Sequence, residues 1–393
     1  MLIIQGTTPV KNANAFIFGM LVPVCVILSP AFPFLIKESA IFLWMVMFPI
    51  YVFRIKNLQG VLLLLLTALF LNIQSFGFPI DYPQKLMYSL ISIFTMSYVF
   101  LANCRLDFES VKKISLGLGY GSFCLNIITI VCMYLITLGI VDILYLAEIF
   151  KFPDNIGLFR FSLGNAIEVP FLTTICTILS VRYLKSQWVI LLFVAVNFMA
   201  VFIAQSRGVM LISVLHIISI YPKQSFLFKS GVPIIIFVAF FYYFDEVSIV
   251  LDSTIARFSG VDLGSTDSRM HYFKVVFDNI NAQTLILGEG LLSSQRLLFD
   301  ITGQLKSIES ALVELIYEFG FFVSGLLLLP LITRMNHIGL IKNIPIYFYI
   351  ILGQIFLLLN ITPMFGLIFG LLMLLLESYR INNKFKTKSI LIV

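Results

Sequence analysis

The chain has little charge: Asp, Glu, Lys and Arg make up only 12% of its 393 residues, whereas 60% of the residues are hydrophobic. A soluble globular domain carries about 25% charged residues, so this composition excludes a fold that keeps its apolar surface out of water by itself. The chain is therefore predicted to use a lipid bilayer as part of its solvent.

Residues and motifs that would build a metal centre, a disulfide framework or a nucleotide site are also missing. The three histidines are scattered, the acids show no EF-hand spacing, and no Walker or glycine-rich dinucleotide motif occurs. The cysteines have no zinc spacing and lie in or beside apolar runs, so they are predicted to be small buried hydrophobes. We therefore expect no metal and no cofactor. The cysteines are Cys25, Cys104, Cys124, Cys132 and Cys176.

Apolar runs approaching the length that crosses a bilayer, about 20 residues, recur along the chain. They predict an all-α, polytopic integral membrane protein with about 12 transmembrane helices, forming a single transmembrane domain over residues 1–393. The first run carries no small-residue cleavage site, so it is predicted to be a retained helix. The predicted spans are 14–36, 39–53, 59–78, 86–103, 114–140, 168–181, 187–205, 208–221, 228–244, 310–333, 344–360 and 362–378.

Positive charge is distributed unevenly between alternate predicted loops. Most of the 26 Lys and Arg residues fall on one side of the predicted membrane, and the only acids on that side are Asp107, Glu109 and Glu377. Because positive residues mark the cytoplasmic side, both termini are predicted to be cytoplasmic. The basic clusters are interpreted as topology signals at the lipid headgroups, not as a nucleic-acid surface.

One outward-facing loop, residues 245–309, is far longer than the other predicted loops, and loops of that size are usually functional. Its periodicity predicts a helix over 267–280 that lies against the membrane domain. A turn at Gly288-Glu289-Gly290 follows. The predicted apolar face consists of Met270, Phe273, Phe277 and Ile280, and the N-cap candidates are Ser265, Thr266 and Asp267.

Two arginines on the outward side are candidates for binding a phosphate group. Arg207 lies between two apolar spans, in the first turn of a predicted helix that Ser206 caps, and Arg269 lies in the first turn of the predicted loop helix. Helix N-termini favour anions and a guanidinium offers paired donors that suit phosphate, so two such sites suit a pyrophosphate. The alternatives are an interfacial arginine that reaches lipid headgroups for Arg207 and a solvated loop charge for Arg269.

Acidic residues begin the late helix that follows the long loop. Glu309 is a candidate general base near the membrane surface, and a first-turn glutamate that merely favours helix formation is the alternative. Glu314 and Glu318 follow one and two turns deeper, where acids usually face a polar cavity or a buried partner. Among the histidines only His271, two residues after Arg269, is placed to contribute, and a solvated side chain is its alternative.

Three segments of the chain share their order and spacing with one known group. QSRGVML at 205–211 has a Ser-Arg-Gly start of a helix, DSRMHYFKVVFDNINAQTLILGEGL at 267–291 has a Ser-Arg helix with a Gly-x-Gly turn, and ESALVELIYEFGFFVSGLL at 309–327 begins a late helix with glycines eleven or more positions later. In these segments the chain resembles the bacterial O-antigen polymerase and O-antigen ligase superfamily. The resemblance covers about residues 185–335, and the N-terminal half matches only in hydropathy.

The resemblance implies a GT-C-like membrane glycosyltransferase that joins undecaprenyl-pyrophosphate-linked oligosaccharide repeats at the periplasmic face, without metal or nucleotide. Arg207 and Arg269 match the two arginines that the family uses on the pyrophosphate. Glu309 falls where the ligases usually have a histidine, which favours an O-antigen or surface polysaccharide polymerase over a ligase. Glu309 is the candidate base of that polymerase. The other expected contacts to pyrophosphate or sugar are His271, Glu314 and Tyr317.

Three other functions stay open at this point: an O-antigen ligase that transfers glycan to lipid A core, a flippase or transporter of lipid-linked oligosaccharide, and a scaffold. The expected partners are the lipid-linked oligosaccharide and the bilayer, with a chain-length regulator and a flippase as further candidates and no nucleic acid. The expected location is the bacterial inner membrane, with many passes and a periplasmic active face.

The three candidate catalytic residues are expected to converge in space. Arg207, Arg269 and Glu309 each open a predicted helix at the same membrane face, so they are expected to line one cavity at the outer surface. The whole loop 245–309 is expected to lie outside the membrane. A cysteine introduced as Ser294→Cys should therefore react from outside, whereas one introduced as Asn336→Cys should not.

Overall fold

The structure is a computed structural model that describes residues 9–28, 108–142, 162–163, 167–221, 263–290, 293–303, 308, 310–337, 346–358 and part of 368–379. All the extended regular elements among these residues are helices and none is a strand, which confirms the all-α prediction for this part of the chain. The helices are α1 (Pro9–Leu28), α2 (Phe108–Thr137), α3 (Glu168–Val181), α4 (Gln187–Ile203), α5 (Arg207–Ile220), α6 (Leu263–Asp278), α7 (Ala282–Leu287), α8 (Ser293–Thr302), α9 (Ala311–His337) and α10 (Ile346–Leu358).

Most predicted spans that fall on described residues coincide with helices. The predicted bounds of α3 agree with the structure at both ends, and α4, α5 and α10 differ by no more than two residues at either end. α1 and α2 begin five or six residues before the predicted starts at 14 and 114. The predicted spans 39–53, 59–78, 86–103 and 228–244, and much of 362–378, lie outside the described residues.

One described helical stretch, Val111–Thr137, is long and apolar enough to cross a bilayer. Shorter apolar stretches occupy Ala15–Val24, Glu168–Val181, Gln187–Ile203 and Gly208–Ile220. The 14 residues of α3 and of α5 rise only about 21 Å, against about 30 Å of hydrocarbon. The number of about 12 spans therefore stays a prediction.

The described helices belong to two compact units, the first with α1 to α5 and the second with α6 to α10. The prediction of one transmembrane domain over residues 1–393 was made from hydropathy and stays a prediction. α3 is the central helix of the first unit, because all its residues from Val169 to Val181 are buried and it contacts α1, α2, α4 and α5.

Glycines allow α1 and α2 to pack with their backbones in contact. A Cβ atom added at Gly19 would collide with the carbonyl oxygen of Ile114, and one added at Gly117 would collide with that of Phe16. Gly121, one turn after Gly117, meets the carbonyl oxygen of Met20 in the same way. Small residues spaced by four on one helix face are typical of close helix pairs in membranes.

The first unit has hydrogen-bonded polar side chains among its buried residues and large apolar side chains on its surface. The Asn126 amide donates to the Asn197 side-chain oxygen at 3.2 Å, and the Asn197 amide donates to the Thr174 hydroxyl at 3.1 Å, so buried hydrogen bonds join α2, α4 and α3. The exposed apolar residues include Ile127, Ile128, Val131, Tyr134, Trp188, Leu192, Met199, Leu211, Val214 and Ile218. Exposed apolar residues in this number mark a surface that contacts lipid or another protein.

Cysteines follow the composition-based prediction only in part. Cys176 on α3 is buried, as expected for a small hydrophobe, whereas Cys124 on α2 is exposed and Cys132 is intermediate. Cys124 lies on the same helix as the exposed apolar residues Ile127 and Ile128. Cys124 therefore lies on the outward-facing, apolar surface of α2.

Candidate functional site

The turn before Arg207 has an unusual backbone. α4 ends at Ile203 and α5 begins at Arg207, so three residues connect the two helices, and Gln205 among them has φ of 50°. A left-handed backbone is uncommon in a residue other than glycine and often marks a functional segment. Gln205 and Ser206 are both buried. The predicted position of Arg207 in the first turn of a helix is confirmed, at its first residue.

Ser206 occupies the N-cap position of α5, but the prediction that its hydroxyl caps the helix is wrong. Its backbone is extended, with ψ of 93°, but its hydroxyl makes no hydrogen bond to the first-turn N–H groups. Asn281 at the start of α7 shows the contrast: its ψ is 177°, and its side-chain oxygen accepts a hydrogen bond from the backbone N–H of Thr284 at 2.9 Å.

The loop helix α6 begins at Leu263, four residues before the predicted start. Arg269 therefore lies in the second turn, and the prediction that it lies in the first turn is wrong. The error arises because Ser265, Thr266 and Asp267 suit an N-cap and are equally tolerated inside the first two turns of a helix.

The buried face of α6 is centred on Val276, which packs with Phe273, Tyr272 and Ile280. Phe277 was predicted on this face but is exposed. His271 is exposed and its ring contacts that of Tyr272, with centroids 5.9 Å apart. Its predicted contact with substrate stays a prediction.

Helices α6, α8 and α9 share one apolar core. Val276 from α6 and Leu298 from α8 pack with Val313 and Tyr317 from α9, and Ile308 joins them from the segment before α9. Tyr317 is buried in this core. Packing alone therefore explains an aromatic residue at this position, and its predicted contact with substrate stays a prediction. The predicted loop helix is thus packed onto the start of the late helix.

Ser310 caps α9, with its hydroxyl 3.5 Å from the backbone N–H of Val313 and its carbonyl accepting from the N–H of Glu314 at 3.0 Å. The first helical residue is Ala311. Glu309 lies outside the described residues, so its predicted role as the base stays a prediction. Both described residues beside it, Ile308 and Ser310, are fully buried.

Helix α9 is interrupted at Gly320, whose φ of 66° and ψ of 172° are not helical. The turn that follows α7 fills the gap: the N–H groups of Glu289 and Gly290 donate to the carbonyl oxygens of Tyr317 and Glu318, each at 2.9 Å. An unbroken helix would satisfy those carbonyls by N–H groups four residues later. We call this arrangement the glycine joint, formed by residues 286–290 and 317–320.

The glycine joint has room only for glycine at two positions. A Cβ atom at Gly288 would collide with the carbonyl oxygen of Glu318, and one at Gly320 with that of Ile286. Gly288 has φ of 76° and ψ of 169°, a backbone conformation that residues other than glycine essentially never adopt. The turn at 288–290 was predicted, but its partner at Gly320 was missed.

Two glutamates on the first half of α9 are buried, Glu314 at 2% exposure and Glu318 at 3%. The Ser294 hydroxyl donates to the Glu318 carboxylate at 2.6 Å, so of the two predicted alternatives, a polar cavity or a buried partner, Glu318 has the buried partner. Near the same joint, the Thr284 hydroxyl donates to the Glu289 carboxylate at 2.5 Å. Carboxylates that accept from protein hydroxyls in this way have the chemistry needed to accept from sugar hydroxyls.

Ser294 itself is fully buried, which would slow the reaction of a cysteine at this position with an external reagent, and the predicted labelling pattern stays a prediction. Among the described residues, no group of three or more His, Cys, Asp or Glu side chains could hold a metal ion.

The predicted site residues are divided between the two units. His271, Glu314 and Tyr317 belong to the second unit, whereas Arg207 begins α5 of the first unit. The side chains of Arg207 and Arg269 lie outside the described part of the structure, so their shared cavity stays a prediction.

Comparison of the chain with protein-family models, with curated proteins and with solved structures finds no match.

Proposed function

We propose that this chain is a multi-pass membrane glycosyltransferase of the polysaccharide polymerase type. It acts at the periplasmic face of the bacterial inner membrane, with both termini in the cytoplasm, and joins oligosaccharide repeats carried on undecaprenyl pyrophosphate. The support comes from the resemblance of three segments, and from the way in which two of those segments pack together. A chain-length regulator and a flippase are its candidate partners.

The observation that carries the proposal is the shared core of α6, α8 and α9. Val276, seven residues after Arg269 on α6, packs in the same cluster as Ile308, the residue before Glu309. Because seven helical residues rise about 10 Å, Arg269 lies about 10 Å along the axis of α6 from Val276. A long loop that merely connected two spans would not need to bury apolar residues against the start of the next helix.

A membrane location is supported by the first unit. Its helix α2 is long and apolar enough to cross a bilayer, its surface carries large exposed apolar residues, and its interior contains the hydrogen-bonded Asn126, Asn197 and Thr174. Exposed apolar side chains, together with polar side chains that are buried and hydrogen-bonded, suit helices that have lipid around them.

In the proposed reaction, an acceptor hydroxyl of one lipid-linked repeat attacks the anomeric carbon of another chain. The bond from that carbon to the pyrophosphate oxygen breaks, and undecaprenyl pyrophosphate leaves with the bonding electrons. Glu309 takes the proton of the attacking hydroxyl. Arg207 and Arg269 stabilise the negative charge that develops on the pyrophosphate. No nucleotide is needed, because the pyrophosphate is itself a good leaving group.

A second candidate function, a flippase of lipid-linked oligosaccharide, is favoured by one observation. The interruption of α9 at Gly320 gives a discontinuous helix, and transporters often build their substrate sites from such helices. Transporters usually carry them in corresponding pairs related by an internal repeat, and the sequence shows no such repeat. The polymerase is therefore the function we favour.

Elongation by purified protein tests the proposal. Protein in vesicles supplied with lipid-linked repeats should produce a ladder of lengthened glycans that remain attached to undecaprenyl pyrophosphate. A ligase would instead move glycan onto added lipid A core without lengthening it. A flippase would carry labelled repeats across sealed vesicles without joining them, and either of these results would replace the polymerase proposal.

A further inference from the structure

We propose that the glycine joint lies at membrane depth, and that Ile286 and Leu287 at the end of α7 contact lipid acyl chains. The outward-facing loop would then not lie wholly outside the membrane, because one short segment of it re-enters the bilayer beside α9. The inference rests on the part of the proposed function in which α9 spans the membrane.

The first observation is that two pairs of exposed apolar residues lie side by side. Ile286 and Leu287 are exposed at the end of α7, and Phe321 and Phe322 are exposed just after the interruption of α9. The carbonyl oxygen of Ile286 lies against Gly320, so the backbone segments that carry the two pairs meet at the joint. Large exposed apolar residues on adjoining segments are typical of an interaction surface.

The second observation is the length of α9 after its interruption. Residues 321–333 form an apolar run that ends before Arg334, and 13 residues of helix rise about 20 Å, against about 30 Å of hydrocarbon. If α9 crosses the bilayer, about 10 Å of hydrocarbon must be filled by residues before Gly320. The interruption, and the turn docked into it, would then lie inside the membrane boundary.

The third observation is that the backbone of the joint is satisfied by protein. Non-helical backbone is tolerated at membrane depth only where it is buried in protein or lines a water-filled cavity. The carbonyls of Tyr317 and Glu318 accept from the N–H groups of Glu289 and Gly290. The carbonyl of Leu315 accepts from the Ser324 hydroxyl at 2.8 Å across the interruption.

The joint also has a polar side, which the proposal assigns to a water-filled cavity. Glu289 is exposed and accepts from the Thr284 hydroxyl, while Glu318 and Ser294 are bonded to each other inside. A charged carboxylate facing lipid would be costly. The segment therefore has lipid-facing residues at its helix end and water-facing residues at its turn.

Spin labels on single cysteines test the assignment in vesicles of phosphatidylethanolamine and phosphatidylglycerol. The native cysteines are first replaced by alanine, and the labelled variants are Leu287→Cys, Arg296→Cys and Phe322→Cys. Leu287 and Arg296 are both exposed, so a label at either site is accessible from outside the protein. Collision rates with oxygen, which concentrates in lipid, and with a water-soluble nickel chelate are measured for each label.

We expect the ratio of oxygen to nickel collisions to be severalfold higher at Leu287→Cys and Phe322→Cys than at Arg296→Cys. A lipid-like ratio at Phe322→Cys with a water-like ratio at Leu287→Cys would overturn the re-entrant segment and leave α9 in the membrane. Water-like ratios at both sites would overturn the membrane span as well. Low collision rates with both reagents at Leu287→Cys would show that protein covers the surface, which also contradicts the inference.

Discussion

In the first unit, Gly19 and Gly117 lie within continuous helices and let α1 and α2 touch along their backbones, whereas in the second unit Gly288 and Gly320 adopt positive φ angles and interrupt the helical path. The same residue type therefore removes a side chain in one unit and changes the direction of the backbone in the other. Both uses bring two backbones together, but only the second leaves carbonyl groups that another segment must satisfy.

The two units also differ in the contacts that hold their elements together. The described part of the first unit is a bundle whose helices meet through glycines, a buried Asn–Asn–Thr connection and aromatic contacts such as the stacked rings of Phe123 and Phe193, 4.6 Å apart. The second unit joins a loop to a broken helix, and it contains the buried acids of α9. A change at the glycine joint should therefore disturb both the fold and the proposed site.

The largest effect is expected from Gly320→Ala. The backbone angles at Gly320 are essentially restricted to glycine, and the added methyl group would collide with the carbonyl of Ile286, so we expect destabilisation of about 3 kcal/mol or more. Gly325→Ala is the matched control, because nothing lies within 4 Å of an added Cβ atom there. The thermal unfolding midpoint of purified protein in detergent measures both.

Gly325→Ala should leave that midpoint unchanged or raise it slightly, because alanine is the better helix former. If Gly320→Ala and Gly325→Ala gave the same midpoint, the interruption of α9 would not be a feature of the folded protein.

A smaller effect is expected from Gly117→Ala in the first unit. The added methyl group meets the carbonyl oxygen of Phe16, and two helices can respond by moving apart, so we expect a loss of about 1–3 kcal/mol. Gly353→Ala on α10, where an added Cβ atom meets nothing within 4 Å, is the control. An equal midpoint for the two variants would contradict backbone contact between α1 and α2.

An effect of similar size is expected at the hydrogen bond between Ser294 and Glu318. Ser294→Ala removes the hydroxyl that donates to the buried carboxylate at 2.6 Å, which should destabilise the protein by about 1–3 kcal/mol. Glu318→Gln and the double variant complete a cycle that isolates the interaction, with an expected coupling of about 0.5–3 kcal/mol. Additive single effects would show that the two groups do not interact.

Hydropathy predicted where many helices lie, but it did not predict the contact between the turn after α7 and the interruption of α9 in the second unit. α3 was placed correctly because an apolar run ends abruptly at Arg182. The interruption of α9 was missed because Gly320 lies in an otherwise helical run, and its backbone depends on Gly288, which is 32 positions away. Tertiary contacts of that kind leave no local periodic pattern.

The candidate site was predictable to a similar degree. The start of α5 was predicted from the N-cap preference of Ser206, although its hydroxyl does not cap the helix. The turn at 288–290 was predicted from its glycines, which favour turns. The second-turn position of Arg269 could not be derived, because several residues before it are compatible with a helix start. The partner of Glu318 lies 24 positions away at Ser294, and no local pattern connects them.

The central functional claim is that particular arginines stabilise the leaving pyrophosphate, and the elongation assay tests it most directly. Purified Arg207→Ala and Arg269→Ala variants are compared with Arg296→Ala, which removes an exposed arginine paired with Asp300 at 3.8 Å. Removing one preorganised stabiliser of transition-state charge typically lowers a rate by about 100–1,000-fold. We predict that loss for the first two variants and normal ladders for the third, whereas normal ladders from Arg207→Ala at normal protein level would contradict the mechanism.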